Sequence, residues 1–224
     1  MLLANLTSTE QGASQLLGLD RPASAGLNVA FLLNKFVAPC PSNIEHDTYG
    51  HVATILPNVT REQAGRQLLL QPGRGLLGAL ASELRSKSEL RRRGCASAIK
   101  NVCFSVEQDN TIEEIIQDSG AIDAILDALC GISGSTKQED DTVREALAEA
   151  LLCLTMNDVA RKVLWSRNAA ELLQKGYEYE ENRVVCDAME KMAEYFLQDG
   201  FQPEGEEGGG NKQAGGTVIE AIDN

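Results

Sequence analysis

Arg91 to Gln108 reads RRRGCASAIKNVCFSVEQ. At 100° per residue, Arg92, Cys95, Ala96, Ile99, Cys103 and Val106 gather on one side, and Gly94, Ser97, Asn101 and Gln108 on the other. The spacing predicts an amphipathic helix with an asparagine on its polar stripe. Two other segments end in the same way, LLANLT at Leu2 to Thr7 and ILPNVT at Ile55 to Thr60, with aliphatic residues flanking an Asn. A helix that recurs along one chain predicts a repeat protein.

Working outward, the pattern restarts three times after Thr60. REQAGRQLLLQPG (Arg61 to Gly73) and GLLGALASELRS (Gly75 to Ser86) precede the opening helix, and DNTIEEIIQDSG, AIDAILDALCG and DTVREALAEALLCLT follow it. NDVARKVLWSR, NAAELLQKGYEY and NRVVCDAMEKMAEYFL complete a last round. Each unit reads as a short, a medium and a long helix. Asn5, Asn58, Asn101 and the corresponding Cys153 are spaced by 53, 43 and 52 residues. Armadillo and HEAT units run about 40 to 47 residues, and both long intervals carry an insertion, Ala38 to Asp47 and Ile132 to Asp140. Gly26, Gly75 and Gly120 recur before the middle helix.

Upstream, the reading places a short helix over Gln11 to Leu19, a second over Ser24 to Val37 ended by Pro39 and Pro41, and a third over Thr48 to Thr60 with Pro57 kinking its last turn. The expected architecture is all-α, a right-handed α-solenoid of about four armadillo/HEAT-like three-helix repeats over residues 1–198. Because the chain opens on apolar MLLANL where a terminal repeat should be polar, an N-terminally truncated solenoid without its cap is expected. Residues 199–224, rich in Gly and Glu and poor in apolar side chains, are expected to be a disordered acidic tail, with Val218 to Ile222 its one candidate binding segment.

Composition agrees with helices packed over small side chains: hydrophobic content is 43% and aromatics only 4%. The net charge of −13, of which the segment before Asp199 carries −8, disfavours nucleic acid and anionic membranes as partners. Cys40, Cys95, Cys103, Cys130, Cys153 and Cys186 form no CxxC pair and read as buried hydrophobes of a reducing compartment. No spanning segment or secretory signal is legible, so a cytoplasmic or nuclear protein is expected, and the Asn5 and Asn58 sequons carry no meaning.

No catalytic, cofactor-binding or metal-ligating constellation appears; His46 and His51 match no ligand spacing, and Trp165 reads as packing. A monomeric, non-enzymatic binding protein is therefore expected, without cofactor or metal. In a stack of three-helix units the long helices line a concave surface, which makes Thr54, Asn58, Arg91, Arg93, Ser97, Lys100, Asn101 and Glu149 the candidate contacts. The asparagines have two competing uses. They can hold a partner's backbone amides, or bond nearby helix-end carbonyls and set the repeat spacing. The basic cluster of Arg91, Arg92 and Arg93, with Arg85 and Lys87, opposes the helix dipole and needs acids beside it, either Glu83 and Glu89 or an acidic partner.

The order of helices in NTIEEIIQDSGAIDAILDALCG resembles armadillo repeats, and LLANLT, RRRGCASAIKNVCF and EDDTVREALAEALLCLTMNDVARKVLW followed by YEYEEN resemble the HGH family of eukaryotic armadillo-like proteins over roughly residues 1–198. The chain departs from that family at Val102-Cys103-Phe104-Ser105, where a Cys pair and an Asp after Phe are usual. The resemblance implies an adaptor or co-chaperone that binds eukaryotic elongation factor 2 and assists its folding with the chaperonin TRiC/CCT. Alternatives are a generic armadillo scaffold and an importin-like peptide-binding transport receptor. Such receptors resemble this chain in their asparagine array but carry tryptophan one turn earlier, where Thr54, Ser97 and Glu149 stand here. An RNA-binding solenoid is opposed by the net charge.

Overall fold

The structure, a computed structural model, describes residues 2–18, 29–38, 47–131 and 136–200. Every regular element among them is helical: α1 (Leu2–Thr7), α2 (Glu10–Leu17), α3 (Val29–Val37), a 3-10 turn (Gly50–Thr54), α4 (Leu56–Val59), α5 (Gln63–Leu69), α6 (Leu76–Ser82) with a 3-10 extension (Glu83–Arg85), and α7 (Glu89–Phe104). There follow α8 (Val106–Asp109), α9 (Ile112–Gln117), α10 (Ser119–Cys130), α11 (Asp141–Met156), α12 (Asp158–Ser166), α13 (Ala169–Tyr177) and α14 (Arg183–Gln198). The helix expected from Ser24 is described only from Val29; Gly26, Cys40, His46, most of the first insertion, part of the second and the tail from 201 lie outside the described residues.

Local chemistry sets the boundaries. The three long helices each open on a side-chain cap: Ser88 Oγ accepts from Arg91 N at 3.4 Å, Asp140 Oδ1 from Thr142 N at 3.0 Å, and Asn182 Oδ1 from Val184 N at 2.9 Å. The single helix expected over Thr48 to Thr60 is instead a 3-10 turn followed by α4. Pro57 removes an N–H and crowds the carbonyl four residues back, so a continuous α-helix cannot pass Ile55. Likewise α7 starts two residues before Arg91 and ends at Phe104, where Ser105 leaves the helical region and α8 begins.

The elements stack in layers. The long helices lie side by side in the order of the 3-10 turn with α4, then α7, α11 and α14, while α6, α10 and α13 form a second row behind them. One continuous core runs through the stack from Val29 to Phe196. Leu80, Leu84, Ile99, Ile122, Leu126 and Leu151 are fully buried within it, each contributing about 1.5–3 kcal/mol relative to exposure. Cys95 and Cys103 are buried as small hydrophobes, and burial pushes the half-buried Cys130 thiol up to about 12.

Two glycines mark the elbow between repeats. A Cβ on Gly12 would stand 1.7 Å from Leu6 O, and one on Gly65 1.9 Å from Val59 O, both seven residues after Asn5 and Asn58. The first helix of a repeat thus crosses the end of the preceding long helix at a distance that excludes a side chain. Gly94 is also such a site: placed on the polar side by helical periodicity, it is buried with its Cβ position 2.2 Å from Ala53 O.

Buried arginines lock these elbows. Arg66, Arg144 and Arg161 each send Nη1 to a carbonyl six residues earlier, those of Thr60, Gln138 and Thr155, at 2.8–3.0 Å. Their remaining nitrogens fork a carboxylate supplied 36 to 43 residues later: Asp109 for Arg66, Glu180 for Arg144 and Asp199 for Arg161. Arg92 makes the backbone half of this contact, to Ser86 O and Lys87 O, but its buried Nε has no partner among the described residues. The equivalent of Glu180 there is Gln138, which donates to Leu84 O instead.

Candidate protein-binding face

The capped starts of α7, α11 and α14 align their outward positions in register. Counted from the caps, Arg93 corresponds to Glu145 and Asp187, Ser97 to Glu149 and Lys191, Asn101 to Cys153 and Tyr195, and Phe104 to Met156 and Gln198. Charges at this face pair across the helices. Lys100 Nζ lies 3.0 Å from Glu149 Oε2, and Asn182 Nδ2 donates to Glu145 Oε1 at 2.8 Å. Arg93 joins Asp140 at 2.7 Å and Glu89 at 2.6 Å. Burial works against the Asp140 carboxylate, but Arg93 and the N–H groups of Val143 and Thr142 hold it below its ordinary value.

The asparagines have a defined internal partner. Asn58 Nδ2 donates to Ala4 O and Thr7 Oγ1, both at 3.1 Å, and Asn101 Nδ2 to Pro57 O and Thr60 Oγ1, both at 2.9 Å. Thr7 and Thr60 pass a hydrogen bond back to Leu3 O and Leu56 O, one turn earlier. Each asparagine thereby ties its repeat to the end of the preceding long helix, which is the spacing use of the two read from sequence. The Oδ1 atoms have no partner among the described residues.

Of the remaining candidates, Thr54 Oγ1 donates to His51 O at 2.7 Å and Ser97 is half-buried between Arg93 and Asn101. Arg91 is turned inward, 8% exposed, where the sequence reading set it on the surface. Its Nε and Nη2 fork Asp47 at 2.5 and 2.8 Å, Nη1 reaches Phe36 O at 2.9 Å and Glu83 at 3.1 Å, and the guanidinium lies 4.2 Å over the Phe36 ring. The hydrogen bond from Arg91 holds the Asp47 carboxyl below its ordinary range against the effect of burial. Of the basic cluster, Arg91, Arg93 and Arg85 are thus paired with acids within the chain, Arg85 with Asp127, whereas Arg92 bonds backbone carbonyls.

Sequence reasoning missed the apolar part of this face. Phe104 is 75% exposed and Met156 53%, and both are the last residue of a long helix. They stand in register on adjacent helices, beyond the Lys100–Glu149 bridge. Phe104 lies off the buried stripe of RRRGCASAIKNVCF by helical angle, and that was the available signal. Such paired large apolar side chains at the edge of a polar strip suit a protein partner. Among the described residues no group of His, Cys, Asp and Glu could hold a metal ion, and no helix is long and apolar enough to cross a membrane.

Residues 1–162 match a family described as a domain of unknown function, DUF383. A Dictyostelium discoideum protein named HGH1 homolog is 21% identical over 229 residues, covering 89% of this chain and 62% of the relative. The Drosophila melanogaster HGH1 homolog is 28% identical over 201 residues, covering 80% and 53%. The chain spans about half the length of these relatives. Among solved structures, a designed armadillo repeat protein in complex with the peptide (KR)4 superposes with a TM-score of 0.64 at 18% identity, covering 87% of this chain and 72% of that one. Computationally designed armadillo repeat proteins for modular peptide recognition give 0.65 at 17% identity, covering 86% and 72%. The fold is an armadillo-like α-solenoid.

Proposed function

The chain belongs to the DUF383 family, that of the HGH1 homologs, and from that premise we propose that it is a non-enzymatic adaptor or co-chaperone whose long-helix face binds protein. The client we assign is eukaryotic elongation factor 2, folded with the chaperonin TRiC/CCT in the cytoplasm, and the adaptor works as a monomer. The client assignment rests on the resemblance of LLANLT, RRRGCASAIKNVCF and the Glu139 to Trp165 segment to that family. The observation that carries the protein-binding reading is the exposed Phe104 and Met156 beside the Lys100–Glu149 bridge, on a fold shared with computationally designed armadillo repeat proteins for modular peptide recognition.

Capture from cytosolic extract tests it. The 224-residue chain is expected to enrich elongation factor 2 or chaperonin subunits, and Phe104→Asp with Met156→Asp to lose that enrichment without loss of helicity. Folded protein that enriches neither would sink the client assignment. The importin-like alternative needs free asparagine amides, and those of Asn58 and Asn101 are engaged inside the stack.

A further inference from the structure

At the C-terminal end of the stack, α13 and α14 enclose an apolar groove of about 270 Å³. Leu173, Tyr177, Met189, Ala193, Phe196 and Leu197 line it. On the second row, Ala170, Leu173, Gln174 and Tyr177 fall where Leu77, Leu80, Ala81 and Leu84 stand on α6 and its 3-10 extension, and where Ile122, Ile125, Leu126 and Leu129 stand on α10. On the long helices, Met189, Ala193 and Phe196 fall where Leu147, Leu151 and Leu154 stand on α11. All these counterparts are buried inside the stack. In the last repeat Ala170, Leu173, Met189 and Phe196 are buried as well, but the face lies open at exposed Ala193, at Tyr177, 42% exposed, and at Leu197, 50% exposed. An apolar end face on a solenoid needs a cover.

We propose that residues 217–222 of the same chain, TVIEAI, seat in this groove and close the stack. The chain supplies the means at this end. After α14, Asp199 is pinned to Arg161 at 2.7 Å, and Gly200, at φ +98°, turns the backbone immediately beside the groove residue Leu197. Residues 201–216, FQPEGEEGGGNKQAGG, are a Gly- and Glu-rich connection, and TVIEAI is the one aliphatic cluster that follows. Sixteen residues can reach at most about 53–58 Å, enough to bring the segment back over α13 and α14. At helical spacing Val218, Ile219 and Ile222 share one arc of about 100°, with Glu220 opposite, so one face can enter the groove while the acid stays in water. Tethering raises the effective concentration to the order of millimolar. A segment with a free affinity of only about 0.1 mM is then seated roughly ten times as often as not.

Hydrogen exchange of the full 224-residue chain, read by mass spectrometry, decides this. The amides of 218–222 are expected to exchange about tenfold more slowly than those of 205–216, to the same extent after dilution. That protection disappears with Ile219→Asp and Ile222→Asp in the segment, and with Ala193→Arg in the groove, at a position exposed enough to accept arginine without unfolding. Exchange of 218–222 at the rate of the connection overturns the proposal. Protection that fades on dilution overturns it in favour of a second copy as occupant. Protection that survives Ala193→Arg in folded protein places the segment elsewhere and also overturns it.

Discussion

Replacing Asn101 separates a spacing residue from a client contact. Asn101→Ala removes two hydrogen bonds of 2.9 Å, to Pro57 O and Thr60 Oγ1, from a half-buried junction between repeats. At about 0.5–1.5 kcal/mol each, the loss is about 1–3 kcal/mol. For a chain of this size roughly 2 kcal/mol lowers the thermal midpoint by roughly 4–8 °C. Asn101→Asp is the sharper variant, because it keeps the shape but turns the donor into an acceptor facing the Pro57 carbonyl. At neutral pH it should be less stable than the alanine variant. The introduced carboxyl would have its pKa raised in the folded state, so the deficit should shrink as pH falls through that raised value and the acid regains a proton to donate. Thermal denaturation followed by circular dichroism at several pH values reads both effects. An unchanged midpoint in Asn101→Ala, together with weakened capture of the client, would refute the spacing role and return Asn101 to the binding face.

Three further outcomes are expected. Gly65→Ala places a methyl 1.9 Å from Val59 O, a backbone atom that cannot step aside, and should cost about 1–3 kcal/mol in a denaturant titration. Glu180→Gln takes the carboxylate from buried Arg144, which keeps Asp141 and two carbonyls, so a loss near the lower end of about 3–5 kcal/mol is expected. Despite burial, Asp47, Asp140 and Glu180 are all held below their ordinary values of 3.8, 3.8 and 4.5 by arginine partners, so their contribution is complete above those values and lost as pH falls below them. Acid titration of the midpoint should show that loss, with a smaller drop in Glu180→Gln. Phe104→Asp should change stability by less than about 0.5 kcal/mol, since the ring is 75% exposed, and its effect should be read in client capture alone.

The repeat was legible because its register is written in short-range patterns: an Asn flanked by aliphatic residues near the end of recurring helices, at Asn5, Asn58 and Asn101, and a Gly before the middle helix, at Gly75 and Gly120. Arginine roles were not legible in the same way. Arg66 and Arg161 stand six residues after Thr60 and Thr155, a recurrence present in the sequence, but burial of a guanidinium depends on a carboxylate about 40 residues away. Arg91 shows the same difficulty, since Asp47 reaches it from the far side of a repeat. Periodicity also counts Gly94 as polar, although its missing side chain is what lets α7 approach Ala53.

These internal contacts change what a partner can use. A peptide that sought the amide of Asn101 would have to displace Pro57 O and Thr60 Oγ1, exchanging hydrogen bonds inside the stack for hydrogen bonds to the ligand, with little net gain. The same holds for Asn58 and the end of α1. Arg93 is already shared by Glu89 and Asp140. What the face has left to offer is the Oδ1 acceptors, the half-exposed Lys100–Glu149 bridge and, above all, the apolar pair Phe104 and Met156. Recognition by the proposed adaptor should therefore depend on apolar area at the ends of α7 and α11 and only weakly on salt, whereas a groove that held a basic peptide through its acids would lose affinity steeply as ionic strength rises.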